Sequence, residues 1–139
     1  MTLTDFIRPF FTSRWRAIEA FLNDGERVQR QVLHTLLEKG RDTEWGRQHG
    51  FANVSTYRQF AVSAPLTNYD DLKLYIDRMR HGERNVLWPG RVRWYAKSSG
   101  TTSDKSKFIP VSQQGLKDTH YRGGTDVVAV YLRNNRQSR

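Results

Sequence analysis

Strand-type sequence is confined to one stretch of this 139-residue chain, between Asn85 and Val111. On either side of it, apolar residues return every three or four positions, the period of a helix with one apolar face. A chain patterned this way can build one small sheet and must complete its core with helices. From Thr4 to Asn23 the positions Phe6, Ile7, Phe10, Phe11, Trp15, Ile18 and Leu22 keep that period, which predicts one helix that begins or kinks at Pro9. Asn23-Asp24-Gly25 predicts a turn. A second helix follows over residues 26–39, stopped by Gly40 in a left-handed C′ position. Together residues 1–41 read as an antiparallel helical hairpin.

Residues 42–84 read as a loop and helices. Asp42–Phe51 has no period and is expected to be a structured loop that plugs Trp45 and Phe51 into the core. Ser55 is placed to cap a short helix over 56–61 that buries Tyr57 and Phe60. Thr67 or Asn68 caps a longer helix over 69–81, with Tyr69, Leu72, Ile76 and Met79 on one face and Gly82 as its stop. Within residues 85–111, Val86–Trp88 and then Val92, Trp94 and Ala96 read as strands around a Pro89-Gly90 turn, and Phe108–Val111 as another. Ser112 caps a last helix over 113–134, with Leu116, His120, Val127, Val130 and Tyr131 along its buried side. Gly123 and Gly124 each cost that helix about 1 kcal/mol against Ala, so close backbone packing is expected there. Residues 135–139 are expected to fray. Trp15, Trp45, Trp88 and Trp94 read as core.

The chain has no cysteine, which excludes a disulfide framework, a thiolate metal site and a thiol nucleophile. His34, His49, His81 and His120 are too dispersed to read as a metal set, and no metal ligand is assigned. No apolar run approaches the ~18 residues of a membrane span. The N-terminus lacks the apolar core of a secretory signal. The expectation is a cytoplasmic protein without a membrane partner. The formal net charge is +9. Residues 73–97 hold Lys73, Arg78, Arg80, Arg84, Arg91, Arg93 and Lys97 against Asp77 and Glu83, a net +5. Such a patch suits nucleic acid or a small phosphorylated ligand, and solvated charge with no partner explains it equally. No zinc-finger, KH or RNP pattern accompanies it.

The segment with the most chemistry is Tyr95–Val111, YAKSSGTTSDKSKFIPV. Ser98, Ser99, Thr101, Thr102, Ser103 and Ser106 surround Gly100, and Lys105 and Lys107 close the run. A phosphate chain needs short donors, a backbone that can come close and a fixed cation. Hydroxyls supply the first, Gly100 the second, and Lys105 or Lys107 the third. It is not a Walker A loop, which needs GxxxxGK[ST] leading into a helix. By composition alone, an ordinary Ser/Thr-rich hairpin loop fits as well. A serine hydrolase would need a G-x-S-x-G or S-x-x-K context with its partners, and none accompanies Ser98 or Ser99.

The order S-S-G-T-T-S-x-x-x-K between two strands resembles the phosphate loop of adenylate-forming enzymes. With TEWGRQHGF, SAPLTNYDDLKLYIDRMRHGERNVLWPG, WYAKSSGTTSDKSKFIPVS and HYRGGTDVVAVYL in that order over Thr43–Leu132, the chain resembles the GH3 (auxin-responsive promoter) family of acyl-acid amido synthetases, closer to its bacterial members. The resemblance implies an α/β fold: the N-terminal part of an adenylate-forming large domain, helix-rich, with a helical hairpin and further helices packed on a short β-hairpin that carries the phosphate loop. It implies an ATP-dependent ligase that adenylates a carboxylic acid and joins it to an amino acid, with Mg2+. By position, Ser98, Ser99, Gly100, Thr101, Thr102 and Ser103 match the loop on the β- and γ-phosphates, and Lys107 its terminal lysine. Asp104 stands where many superfamily loops have glycine. Family members are several times longer, so the chain is expected to be an N-terminal piece, without a complete catalytic set and inactive in amide formation by itself. Partners would be ATP and, in the full-length enzyme, the two substrates, and not nucleic acid. A small basic nucleic-acid-binding module is the alternative.

Overall fold

The computed structural model describes residues 3–99 and 106–135. Most of the tail expected to fray, residues 136–139, lies outside that range. The protein is helix-rich with one two-stranded antiparallel sheet, as the patterning requires. The chain divides into two compact units, Met1–Gln29 with Gln114–Arg139, and Arg30–Gln113.

In the first unit the N-terminal period is carried by two helices, α1 (Leu3–Thr12) and α2 (Trp15–Asn23), not one. Pro9 lies inside α1. The break comes later, where the Thr12 and Ser13 hydroxyls donate to the carbonyls of Arg8 (2.9 Å) and Phe10 (2.6 Å). The Arg14 N–H there reaches back only to Phe11, at 3.1 Å. Hydroxyls that occupy helix carbonyls compete with the helical ladder. Only Asp24 separates α2 from α3 (Gly25–Gly40), which crosses into the second unit.

The last helix is also interrupted. After α7 (Gln113–Gly115), residues Leu116–Tyr121 form a π-helical turn that leads into α8 (Arg122–Asn134). The Thr119 hydroxyl takes up the Gly115 carbonyl at 2.6 Å where the turn widens. A π turn inserts a residue and rotates the succeeding helix by about 100°. Accordingly the buried residues of α8 are Ala129 and Leu132, whereas His120, Val127, Val130 and Tyr131, expected inside, are exposed. A Cβ at Gly123 or Gly124 would meet nothing within 4 Å, so the expected close packing is absent among the described residues. Polar contacts tie α8 to α1 and α2. Arg8 donates to the Leu132 carbonyl at 2.6 Å, a cation on an orphan C-terminal acceptor. Arg14 forks onto Asp126 at 2.8 and 3.2 Å, and the Arg133 guanidinium lies 3.8 Å from the Trp15 ring centroid.

In the second unit the aperiodic stretch after α3 is not a loop but α4 (Glu44–Gln48), followed by a single 3-10 turn at Phe51–Asn53. Thr43 makes this possible. Fully buried, it donates through Oγ1 to the Gly40 carbonyl (2.6 Å) and accepts from Gly46 N–H (3.0 Å), so one hydroxyl ends α3 and caps α4. Gly40 is the last residue of α3 and does not adopt positive φ, contrary to expectation; Gly50, Gly82, Gly90 and Asn85 do. Helix α5 (Tyr57–Ser63) is capped by Thr56, not Ser55, in a reciprocal box with Gln59. Its Tyr57 is exposed, and so is Trp94 in the sheet. Helix α6 (Tyr69–Arg80) begins at the Asn68–Asp71 capping box and buries Ile76 and Met79.

Val86–Trp88 is not a strand. Asn85 and Gly90 close a loop on each other, with Asn85 N–H on the Gly90 carbonyl (3.0 Å) and Gly90 N–H on Asn85 Oδ1 (2.7 Å). The carbonyls of Asn85 and Val86 serve the N–H groups of Glu44 and Trp45 at 2.8 and 3.1 Å, so they have no ladder to join. Val86, Val92 and Met79 form the core cluster, flanked by Tyr75, Leu87, Trp88 and Tyr95. The sheet is β1 (Trp94–Lys97) paired with β2 (Phe108–Val111), Trp94 opposite Val111 and Lys97 opposite Phe108.

Candidate functional site

The sheet sets the two ends of the Ser/Thr-rich segment side by side. Beyond the Lys97–Phe108 pair, Ser98 N–H donates to the Lys107 carbonyl and Lys107 N–H donates to Ser98 Oγ, both at 3.0 Å. The serine hydroxyl thus replaces a backbone carbonyl on the last rung, which holds Ser98 and Lys107 at the base of the segment. Ser99 is next, exposed to solvent. Gly100, Thr101, Thr102 and Ser103, with Asp104 and Lys105, lie outside the described residues.

Lys107 is half-buried, and its ammonium lies 5.5 Å from the centroid of the Tyr69 ring. No carboxylate among the described residues is within ion-pair reach of it. The quadrupole of the Tyr69 ring lies behind this cation. Tyr69 does a second thing: its hydroxyl accepts the N–H of Phe108, the residue after Lys107, at 3.0 Å. At the other end of α6, the Arg80 guanidinium stacks 3.7 Å from the Phe108 ring centroid while holding Asp77 at 3.2 Å. Helix α6 therefore grips the first residue of β2 from both of its ends. The helical period places Tyr69 on a core face and says no more of it. No local spacing marks a tyrosine as the partner of a strand that begins at Phe108, so the signal is tertiary.

The basic stretch 73–97 is not uniformly available charge. Arg78 is shared between Glu44, at 2.6 and 3.0 Å, and Glu83, whose Oε2 accepts from Nε at 2.8 Å. The hydrogen bonds raise the Arg78 pKa and hold both carboxyls below their ordinary range. That pairing joins α4 to α6 and leaves Arg78 little for a ligand. Burial pushes the Tyr95 phenol up, with Arg80 and Arg91 pulling the other way. Among the described residues no group of three His, Asp or Glu could hold a metal ion. No described helix is long and apolar enough to cross a membrane.

Residues 14–139 match the sequence profile of the GH3 family N-terminal domain. Among curated proteins, a jasmonoyl–L-amino acid synthetase of Nicotiana attenuata is 28% identical over 102 residues, 73% of this chain and 18% of its own length. An indole-3-acetic acid-amido synthetase of Arabidopsis thaliana is 28% identical over 102 residues, covering 73% of this chain and 17% of its own length. A putative indole-3-acetic acid-amido synthetase of Oryza sativa subsp. japonica is 29% identical over 121 residues, 84% of this chain and 25% of its own. The chain thus spans about a fifth of the length of such relatives.

Proposed function

The chain belongs to the GH3 family, and from that premise we propose that it carries the ATP-phosphate-binding end of an acid–amino acid ligase. In this reading a carboxylate attacks the α-phosphorus of ATP, the bond to the β-phosphate oxygen breaks, and pyrophosphate leaves. The amine of an amino acid then attacks the acyl carbon and AMP leaves with the C–O electron pair. Negative charge grows on the departing pyrophosphate, so fixed donors and a fixed cation lower the barrier. Ser98, Ser99, Gly100, Thr101, Thr102, Ser103 and Lys107 are the residues assigned to it. Ser98 and Lys107 set the loop's two ends one rung apart, and the Lys107 ammonium faces the phosphates. ATP would arrive with Mg2+ on its phosphates. Among the described residues no carboxylate set is placed to hold that ion.

The observation that carries the proposal is a half-buried Lys107 that has no carboxylate partner among the described residues and whose backbone N–H bonds to Ser98 at the base of a Ser/Thr/Gly segment. A 31P NMR titration of ATP and of pyrophosphate tests it. Both ligands should bind, and Lys107→Ala should abolish binding. Unchanged binding by Lys107→Ala would overturn it. So would retention on DNA with a steep salt slope that this substitution leaves untouched. The 139-residue chain alone should release no AMP when given ATP, an acyl acid and an amino acid.

A further inference from the structure

We infer that Tyr69 is a positioning residue for the phosphate site, holding the Phe108 N–H just after Lys107 with its hydroxyl and the Lys107 ammonium with its ring. The inference rests on the phosphate-binding reading of the loop and extends it to a residue on another element. Tyr69 is the first residue of α6, and the Asn68–Asp71 capping box fixes that helix end: Asn68 Oδ1 accepts from Asp70 and Asp71 N–H (2.8 and 3.2 Å), and Asp71 returns the bond to Asn68 N–H at 2.8 Å. The ring therefore leaves a rigid point. Its hydroxyl takes the Phe108 N–H at 3.0 Å, and its face lies 5.5 Å from the Lys107 ammonium.

Two independent constraints then bracket Lys107. The Ser98 rung fixes its backbone from the β1 side, and Tyr69 fixes the next peptide from the α6 side. Lysine has a flexible four-carbon stem and samples many rotamers when its head is unpaired. A ring within cation–π range removes part of that freedom before the anion arrives and, unlike a carboxylate, leaves the positive charge in place. A carboxylate at the same point would compete with the phosphate.

Two substitutions separate the two contacts. Tyr69→Phe keeps the ring and removes the acceptor; Tyr69→Leu removes both. Hydrogen exchange of the Phe108 amide and the 31P-detected dissociation constant for pyrophosphate are measured on each, beside wild type and Lys107→Ala, with circular dichroism as the control for folding. The expected result is faster Phe108 exchange in both variants. Pyrophosphate affinity should fall about two- to fivefold further in Tyr69→Leu than in Tyr69→Phe, the worth of an exposed cation–π contact. A residue that merely packed would not give a ring-dependent affinity with exchange equal in the two variants. Affinities equal to wild type in both variants, while Lys107→Ala loses binding, overturn the inference and leave the phosphate reading standing. Absence of pyrophosphate binding in wild type overturns both.

Discussion

Gly46→Ala tests the corner on which the second unit is built. A methyl at Gly46 would sit 2.0 Å from the Gly40 carbonyl oxygen, 2.8 Å from the Gly40 carbonyl carbon and 3.1 Å from that of Arg41. All three are backbone atoms and cannot swing away like the end of a side chain. Relief requires the end of α3 and the start of α4 to part by more than an ångström. That motion breaks the Thr43 cap, which spans the gap with bonds of 2.6 Å to Gly40 and 3.0 Å from Gly46. Overpacking costs about 1–3 kcal/mol and cap loss about 0.5–2 kcal/mol. Together they give about 3 kcal/mol, a large share of the ~5–15 kcal/mol that holds a domain folded. At a urea slope of ~1–3 kcal/mol/M, the midpoint should fall by about 1–3 M. Trp45, half-buried against Tyr75 with ring centroids 5.5 Å apart, supplies the fluorescence signal. Ordinary helix propensity predicts the opposite sign, because Ala stabilises an exposed helix by about 1 kcal/mol over Gly. A Gly46→Ala protein as stable as wild type, or more so, would refute the close approach.

The complementary substitution, Gly124→Ala, fills open space in α8 and should stabilise the first unit by about 0.5–1 kcal/mol, read from a higher thermal midpoint. The Arg78 pairs set an acid limb. Glu44 and Glu83 are held below the ordinary 4.5, so their contribution is complete above that pH and is lost as pH falls through their lowered values. Arg78→Met should therefore lower the urea midpoint at neutral pH and flatten its fall in acid. An unchanged acid slope would contradict the linkage.

Much of this architecture was legible in the sequence, and the parts that escaped it have physical causes. The Phe108–Val111 strand, the α6 helix with its Asn68 cap and its Gly82 stop, and the confinement of strands to one stretch follow from periodicity and turn chemistry. The division of the N-terminal helix escaped because Pro9 is the visible breaker, whereas Thr12 and Ser13, ordinary in composition, take the carbonyls. The faces of the last helix differ from the apolar period because a π turn adds a residue that no such period announces. Val86–Trp88 reads as a strand by residue type, yet its position is decided by Asn85 in a left-handed conformation and by carbonyls committed to α4. In the candidate site, residue type left Lys105 and Lys107 as alternatives, and the family resemblance selected Lys107. Tyr69 stayed hidden because its contacts with Phe108 and Lys107 depend on packing between elements distant in sequence.

In the proposed reading, the segment closed by Ser98 and Lys107 receives the phosphates of ATP. The most direct measurement is a backbone amide chemical-shift map of the 15N-labelled protein titrated with MgATP. Concentrated shifts at Ser98, Ser99, Lys107 and Phe108, saturating together and absent from Lys107→Ala, are the predicted result. Shifts that leave those amides unmoved, or that spread over the arginines of α6 and α8 and persist in Lys107→Ala, would contradict it.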